Sequence, residues 1–471
     1  MIHVKIANAF LSRHHSMSTA SITTNSMLEG NIKQTLMSMT LPMVMGMLML
    51  MTFGLVDTFF VSLLGTQELA AISFTFPVTF TVISLNIGLG IGISAVIGRL
   101  LGSNDHANAR LVATAALMTV LCLVGLLSVI GFITIDPIFI LLGASPELLI
   151  HIHDYMSIWY IGAIFLALPM SGNSVLRASG DTKTPSMIMA AGGAINALLD
   201  PLLIFGYGPI EGMGIKGAAI ATAIAWGVGL IWVLILLVKR NLMIPRLLLP
   251  REFLMNVKGI FTIGIPAAGA NMLTPIAVGV VTAIVADFGD AAVAAWGVGG
   301  RLESIACIIM LALSMTLPPL ISQNFGANKI DRVYIAYKTA IVFILCIQLV
   351  IFSLLYLVSD YIANVFTNDV SVASLIILFM TIVPLGYGAQ GVVVLTNSAF
   401  NAIHKPMAAL ILNTLRLFIF FVPFCYLGSI WYGLMGLFVG AVLANTVMAA
   451  LSFMWFRYQI KMLLQTQVSK N

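Results

Sequence analysis

The stretch Pro42–Ala71 reads PMVMGMLMLMTFGLVDTFFVSLLGTQELAA, and between Pro42 and Gly65 its only ionisable side chain is Asp57. About 20 consecutive apolar residues are enough for a helix to cross a bilayer, so this segment reads as a membrane span that carries one carboxylate. The run is continuous and does not alternate apolar with polar, which excludes a strand of a membrane barrel. The rest of the 471-residue chain has the same character, with 60% hydrophobic and 8% charged residues and a mean hydropathy of +1.07. Soluble domains carry about 25% charged residues, so lipid is the solvent for most of this chain. Cys122, Cys307, Cys346 and Cys425 all lie in apolar runs without a CxxC spacing, as core residues do.

Twelve spans are expected, near 34–64, 70–100, 108–131, 147–178, 185–206, 214–238, 255–286, 291–322, 332–357, 370–402, 407–427 and 432–456. Of the 22 Lys and Arg, nineteen fall at the termini, in even-numbered loops or at the span ends facing those loops, Lys216 falls in an odd loop, and Arg301 and Arg416 lie deeper inside spans. Odd loops carry acids instead, among them Glu68, Asp136, Asp290 and Asp369. The positive-inside rule then places both termini in the cytoplasm. The net charge of +5 follows from this arrangement and gives no reason to expect nucleic acid. Residues 1–30 are polar, lack a signal-peptide core and read as a disordered terminus.

The chain is duplicated. Shifted by 224 residues, VSLLGTQELAA (Val61–Ala71) falls on VADFGDAAVAA (Val285–Ala295), and Ile97, Gly102 and Asn104 meet Ile321, Gly326 and Asn328. Further on the offset drifts, setting Pro185 on Pro406 and GMGIKG (Gly212–Gly217) on WYGLMG (Trp431–Gly436). The fold class is therefore all-α and integral to the membrane: two six-helix bundles of the same orientation, related by a pseudo-twofold along the membrane normal. The divisions expected are an N-lobe over 31–240, a linker over 241–254, a C-lobe over 255–460 and a tail over 461–471. Parallel repeats of this kind mark transporters, and nothing in the chain resembles a channel selectivity filter.

The chemistry lies where the copies differ. Asp57 in span one corresponds to Val281, Asp200 in span five to Phe421, and Asn196 to Leu417. An intramembrane carboxylate is expensive and is a functional candidate by default; the bland alternative is a structural hydrogen bond between helices. Asn196 and Asp200 are i,i+4 and share a face, and Pro201 loosens the backbone beside them. On span one Gly46, Leu50, Phe53, Gly54 and Asp57 fall on one side, with Pro42 as a bending point. Asn173 of span four and Thr222 of span six are expected to join the two carboxylates. The Met43–Met51 series and GLGIG (Gly88–Gly92) read as packing, and His151 with His153 lack a third metal ligand. Glu303 is expected to pair with Arg416 as structural glue.

These residues together resemble the multidrug and toxic compound extrusion (MATE) family over about residues 30–460. The resemblance is carried by Pro42–Ala71, RASGDTKTP (Arg177–Pro185), NALLDP (Asn196–Pro201), GIKGAAIAT (Gly214–Thr222) and the six-plus-six repeat, and it is nearest the DinF-type branch. It implies a V-shaped, monomeric transporter of the bacterial inner membrane, and no enzyme. Such a transporter expels small organic cations and drugs in exchange for H⁺ or Na⁺, with no cofactor beyond that ion. Asp57, Asn173, Asn196, Asp200 and Thr222 match that branch's coupling positions, and Phe53 matches a pocket aromatic. Protonation of the carboxylates would let span one bend at Pro42 and displace the cargo. Two other readings are a lipid-linked oligosaccharide flippase of related fold and an intramembrane aspartyl-type enzyme built on Asp57 and Asp200.

Overall fold

A computed structural model describes residues 27–468. Span one is Ile32–Ser62, capped by the Asn31 side chain, which accepts from the backbone of Lys33 and Gln34. It is followed by Thr66–Gly102, His106–Ile133, Pro146–Ala178, Lys183–Ile204 and Ile215–Lys239, which complete the N-lobe. The C-lobe begins with Pro250–Ala286. Span eight is broken at Cys307 into Asp290–Ala306 and Ile308–Gly326, and Gln348 Nε2 donates to the Ala306 carbonyl at the break. Span nine is Ile330–Leu357, and span ten runs over Val370–Ala402 through a short 3-10 turn at Val383–Gly386. Pro406–Gln467 is one apolar helical stretch; the backbone breaks at Tyr432 and Gly433, so it contains spans eleven and twelve. The only strands among the described residues are a two-residue hairpin, Gly206–Tyr207 with Ile210–Glu211, between spans five and six.

The internal repeat is visible in the backbone. Positive φ angles occur in repeat-related pairs: Gly65 and Gly289, Asn104 and Asn328, Gly214 and Gly433. Each ends or begins a helix at an equivalent loop, where the left-handed conformation favours Gly and Asn. Another repeat-related pair, Gly102 and Gly326, lies where the two lobes touch. A methyl at Gly102 would lie 2.0 Å from the Gln323 carbonyl, and one at Gly326 would lie 2.1 Å from the Arg99 carbonyl. Spans two and eight therefore cross backbone to backbone near their ends, which only glycine allows.

The lobes also exchange helix ends. Ile32, Leu36 and Met39 of span one are packed in the C-lobe core, while Ile260 of span seven belongs to the N-lobe core. The sequence-based boundaries at 31 and 255 therefore mark chain order but not packing. The disordered terminus expected over 1–30 is corrected at its end: Met27 is buried, and its carbonyl accepts from Asn324 and Arg332. Residues 1–26 lie outside the described residues. Lys216, the exceptional odd-loop lysine, is tied to Asp154 at 3.1 Å.

Every inter-lobe hydrogen bond among the described residues lies toward the termini: Thr40 with Thr316, Gln323 to the Ala178 carbonyl, Lys329 to the Leu28 carbonyl, and His404 with the Ala95 carbonyl among them. Burial and the nearby Arg99 charge push the His404 imidazole down to about 4, so it is neutral there at pH 7. The two lobes are thus joined on the terminal side, with no inter-lobe hydrogen bond on the far side among the described residues.

Candidate functional site

Spans one and five run parallel and pack in a heptad-like seam. Thr182 Oγ1 donates to the Met39 carbonyl at 2.8 Å, and Ser186 Oγ meets Met43 Sδ at 3.4 Å. Further along, a methyl at Gly46 would lie 2.8 Å from Ser186 Cβ, and one at Gly193 would lie 2.3 Å from the Phe53 ring. Residues 39, 43, 46, 50, 53 and 57 step by four and three, the 3.5-residue period that keeps one helix face on its neighbour. Gly54 falls outside this seam and has nothing within 4 Å. Leu50 has a seam position but is 48% exposed. Of the five residues read as one face, the structure brings Gly46, Phe53 and Asp57 against span five.

The seam ends at the carboxylates. Asp57 and Asp200 face one another closely enough for each to act on the other's charge, and Asp200 is completely buried. Asn196 Nδ2 donates to Asp200 Oδ1 at 3.0 Å and to Thr222 Oγ1 of span six at 3.2 Å. Both amide hydrogens are thereby used, which fixes the orientation of the Asn196 side chain. Asp57 Oδ1 and Asp200 Oδ2 have no hydrogen-bond partner in the protein. Each carboxylate of this facing pair thus keeps one buried oxygen without a donor among the described residues, which suits the pair to hold a proton or a small hard cation.

Asn173 does not join them. Tyr155, on the same span, lies within electrostatic reach of both Asp57 and Asp200, and Asn173 is 18 residues further along the same helix, about 27 Å at 1.5 Å per residue. Asn173 sits instead near the terminal end, buried beside Ser171, whose hydroxyl donates to Asn86. The sequence marks which spans hold amides but not their depth when spans differ in length. Tyr155 is the residue that reading missed; its signal is a polar HIHDY cluster (His151–Tyr155) at the far end of span four. The carboxylates are also less central than expected, for Asp57 is five residues from the last residue of span one.

Pro42 lies at the other end of the seam, 15 residues from Asp57, and the helix runs continuously through it. Pro42 provides no amide hydrogen for the Ser38 carbonyl. The nearest support is the loop RASGDTKTP, whose Thr182 holds the adjacent Met39 carbonyl. That loop is itself fixed by Asp181, which accepts from Arg240 and Thr184. Burial favours the neutral form of Asp181, but its hydrogen bonds to Arg240 and Thr184 outweigh this and hold the carboxyl below its ordinary range.

In the C-lobe the equivalent of Asp57, Val281, is buried in the core. The expected Glu303–Arg416 ion pair is not formed: no salt bridge joins them among the described residues. Arg416 Nε donates to Asn445 at 3.1 Å, and Glu303 accepts from Gln390 at 3.2 Å. Arg416 stands in a π-helical turn, Leu415–Phe421; the extra residue in such a turn alters which face a side chain occupies.

The MatE family model matches residues 42–202 and again 266–427, one match in each lobe. The chain belongs to the MatE family of transporters. It is 40% identical over 423 residues to an FAD transporter of Shewanella oneidensis, covering 90% of this chain and 94% of that one. It is 26% identical over 418 residues to the multidrug export protein MepA of Staphylococcus aureus, covering 88% and 91%. The bent form of the Vibrio cholerae MATE transporter VcmN superposes with a TM-score of 0.87 at 33% identity, covering 94% of this chain and 99% of that one. The chain is thus a multi-pass membrane transporter, of a family of carriers and not of enzymes.

Proposed function

We propose that the protein is a secondary antiporter of the DinF-like branch, exporting organic compounds in exchange for H⁺ or Na⁺ bound at Asp57 and Asp200. The observation that carries this reading is the pair of facing carboxylates, one braced by Asn196 and Thr222 and each with an oxygen free of any protein donor. The ion enters from the far side, where the lobes are not hydrogen-bonded to each other. Its binding removes the repulsion between Asp57 and Asp200, and span one then yields at Pro42, where a backbone hydrogen bond is missing. Phe53 moves with it and leaves its place over Gly193, so ion and cargo exclude each other. The Vibrio cholerae neighbour's bent form supports such a movement. One charge crossing 100 mV supplies about 2.3 kcal/mol, roughly a fiftyfold cargo gradient. The Lys and Arg distribution supports a cytoplasmic position for both termini in a bacterial inner membrane, and the working unit is a monomer.

The cargo has two readings. Small organic cations suit an acidic lobe and the likeness to MepA. Export of a flavin dinucleotide is favoured by the 40% identity to the Shewanella oneidensis FAD transporter. Efflux of ethidium and of FAD from vesicles holding wild type or Asp57→Asn decides between them. Wild type should move one of the two cargoes, and Asp57→Asn neither. Undiminished efflux by Asp57→Asn would remove the carboxylate site from the account.

A further inference from the structure

A cavity of about 1000 Å³ lies away from the carboxylates, between the terminal half of span one and span nine. Its wall on span one runs from Asn31 to Thr40, and its wall on span nine from Tyr334 to Cys346. The span-nine wall covers 13 residues, about 18 Å of helix, close to the roughly 15 Å of hydrocarbon in one leaflet. The cavity is graded along that length. Lys33, Gln34, Tyr334 and Lys338 lie toward the termini, whereas Leu313, Val342 and Phe343 lie toward the membrane centre.

The two lysines are the informative residues. Neither Lys33 nor Lys338 makes a salt bridge among the described residues, and both are exposed. Lys338 stands two turns inside Ile330–Leu357, at the edge of the 18-residue apolar stretch of that helix, whose mean hydropathy is 2.8. A cation at that depth needs an anion or a route to the interface. We propose that this groove holds one anionic phospholipid of the leaflet next to the termini, with its phosphate between Lys33 and Lys338 and an acyl chain along Leu313, Val342 and Phe343. A lipid seated here holds the terminal half of span one, which packs in the C-lobe core, against span nine. It would therefore stabilise the joined terminal side without touching the ion site.

Native mass spectrometry of the full-length protein with phosphatidylglycerol or phosphatidylcholine of identical chains tests this. Two lysines at a membrane surface should give about a thirtyfold preference for the anionic lipid. Lys33→Gln with Lys338→Gln should abolish that preference and leave phosphatidylcholine retention unchanged, Lys338→Arg should keep it, and Val342→Trp should exclude both lipids by filling the groove. The proposal fails if wild type shows no preference or if the lysine substitutions leave it unchanged. It fails equally if inorganic phosphate at the same concentration displaces the lipid, or if lipid is retained only after residues 1–26 are removed, for the groove would then belong to a free anion or to that segment. Ethidium and FAD efflux are separate readouts, so failure here leaves the antiport reading untouched.

Discussion

Gly46 and Gly54 lie two turns apart on span one and should respond oppositely to one added methyl group. At Gly46 the methyl would stand 2.8 Å from Ser186 Cβ, 2.9 Å from Ser186 Cα and 3.2 Å from its carbonyl oxygen. Carbon atoms pack at about 3.5–4.0 Å, and the obstacle includes backbone, so spans one and five must separate by about 1 Å at that level. Overpacking of this kind costs about 1–3 kcal/mol. The same movement lengthens the Thr182 hydrogen bond to Met39 and parts Asp57 from Asp200 along the seam. At Gly54 nothing lies within 4 Å, so Gly54→Ala should gain up to about 1 kcal/mol of helix propensity. Thermal unfolding of both variants in one detergent measures the contrast: the midpoint should fall for Gly46→Ala and hold or rise for Gly54→Ala. Equal destabilisation by both, or none at Gly46, would refute the close seam and with it the route from Pro42 to the carboxylates.

Other outcomes follow from the same contacts. Arg240→Gln removes the charged partner of Asp181, a half-buried pair worth about 1–3 kcal/mol. Because the folded protein holds Asp181 below its ordinary 3.8, the deficit should be full at pH 7 and vanish as the pH falls below that value; a deficit independent of pH would contradict the assignment. Pro42→Ala restores a backbone hydrogen bond and should slow export while leaving cargo binding intact, and unchanged transport rates would dismiss Pro42 as the bending point. Arg416→Ala leaves the buried Asn445 side-chain oxygen without its donor, so purified yield and melting temperature should fall by more than turnover per molecule. A stable Arg416→Ala protein that cannot transport would bring the C-lobe cluster into the mechanism.

Much of this molecule was legible in its sequence, for definite reasons. The repeat could be read because its matching residues are those with the strictest backbone demands: Gly65 with Gly289 and Asn104 with Asn328 adopt positive φ in both copies. Asn196, Asp200 and Thr222 could be placed together because i,i+4 spacing and adjacent spans determine their distance. Asn173 was misplaced and Tyr155 missed for one reason, that span four has 33 residues and sequence order alone does not say where along it the membrane centre falls. The Glu303–Arg416 pair was not formed because each side chain has another partner, Asn445 for Arg416 and Gln390 for Glu303, on helices whose rotation the sequence order does not give. The exchange of helix ends between lobes left no sign in hydropathy, since Ile32 and Leu36 are equally apolar whichever lobe they enter.

The central claim is that Asp57 and Asp200 bind the ion that drives export. Its most direct test is cargo efflux from proteoliposomes under an imposed proton gradient, then under an imposed sodium gradient, for wild type, Asp57→Asn and Asp200→Asn. Cargo binding is measured on the same preparations. Wild type should respond to one of the two gradients, and each variant should bind cargo yet show no gradient-driven efflux. Gradient-driven efflux at the wild-type rate in either variant would contradict the account.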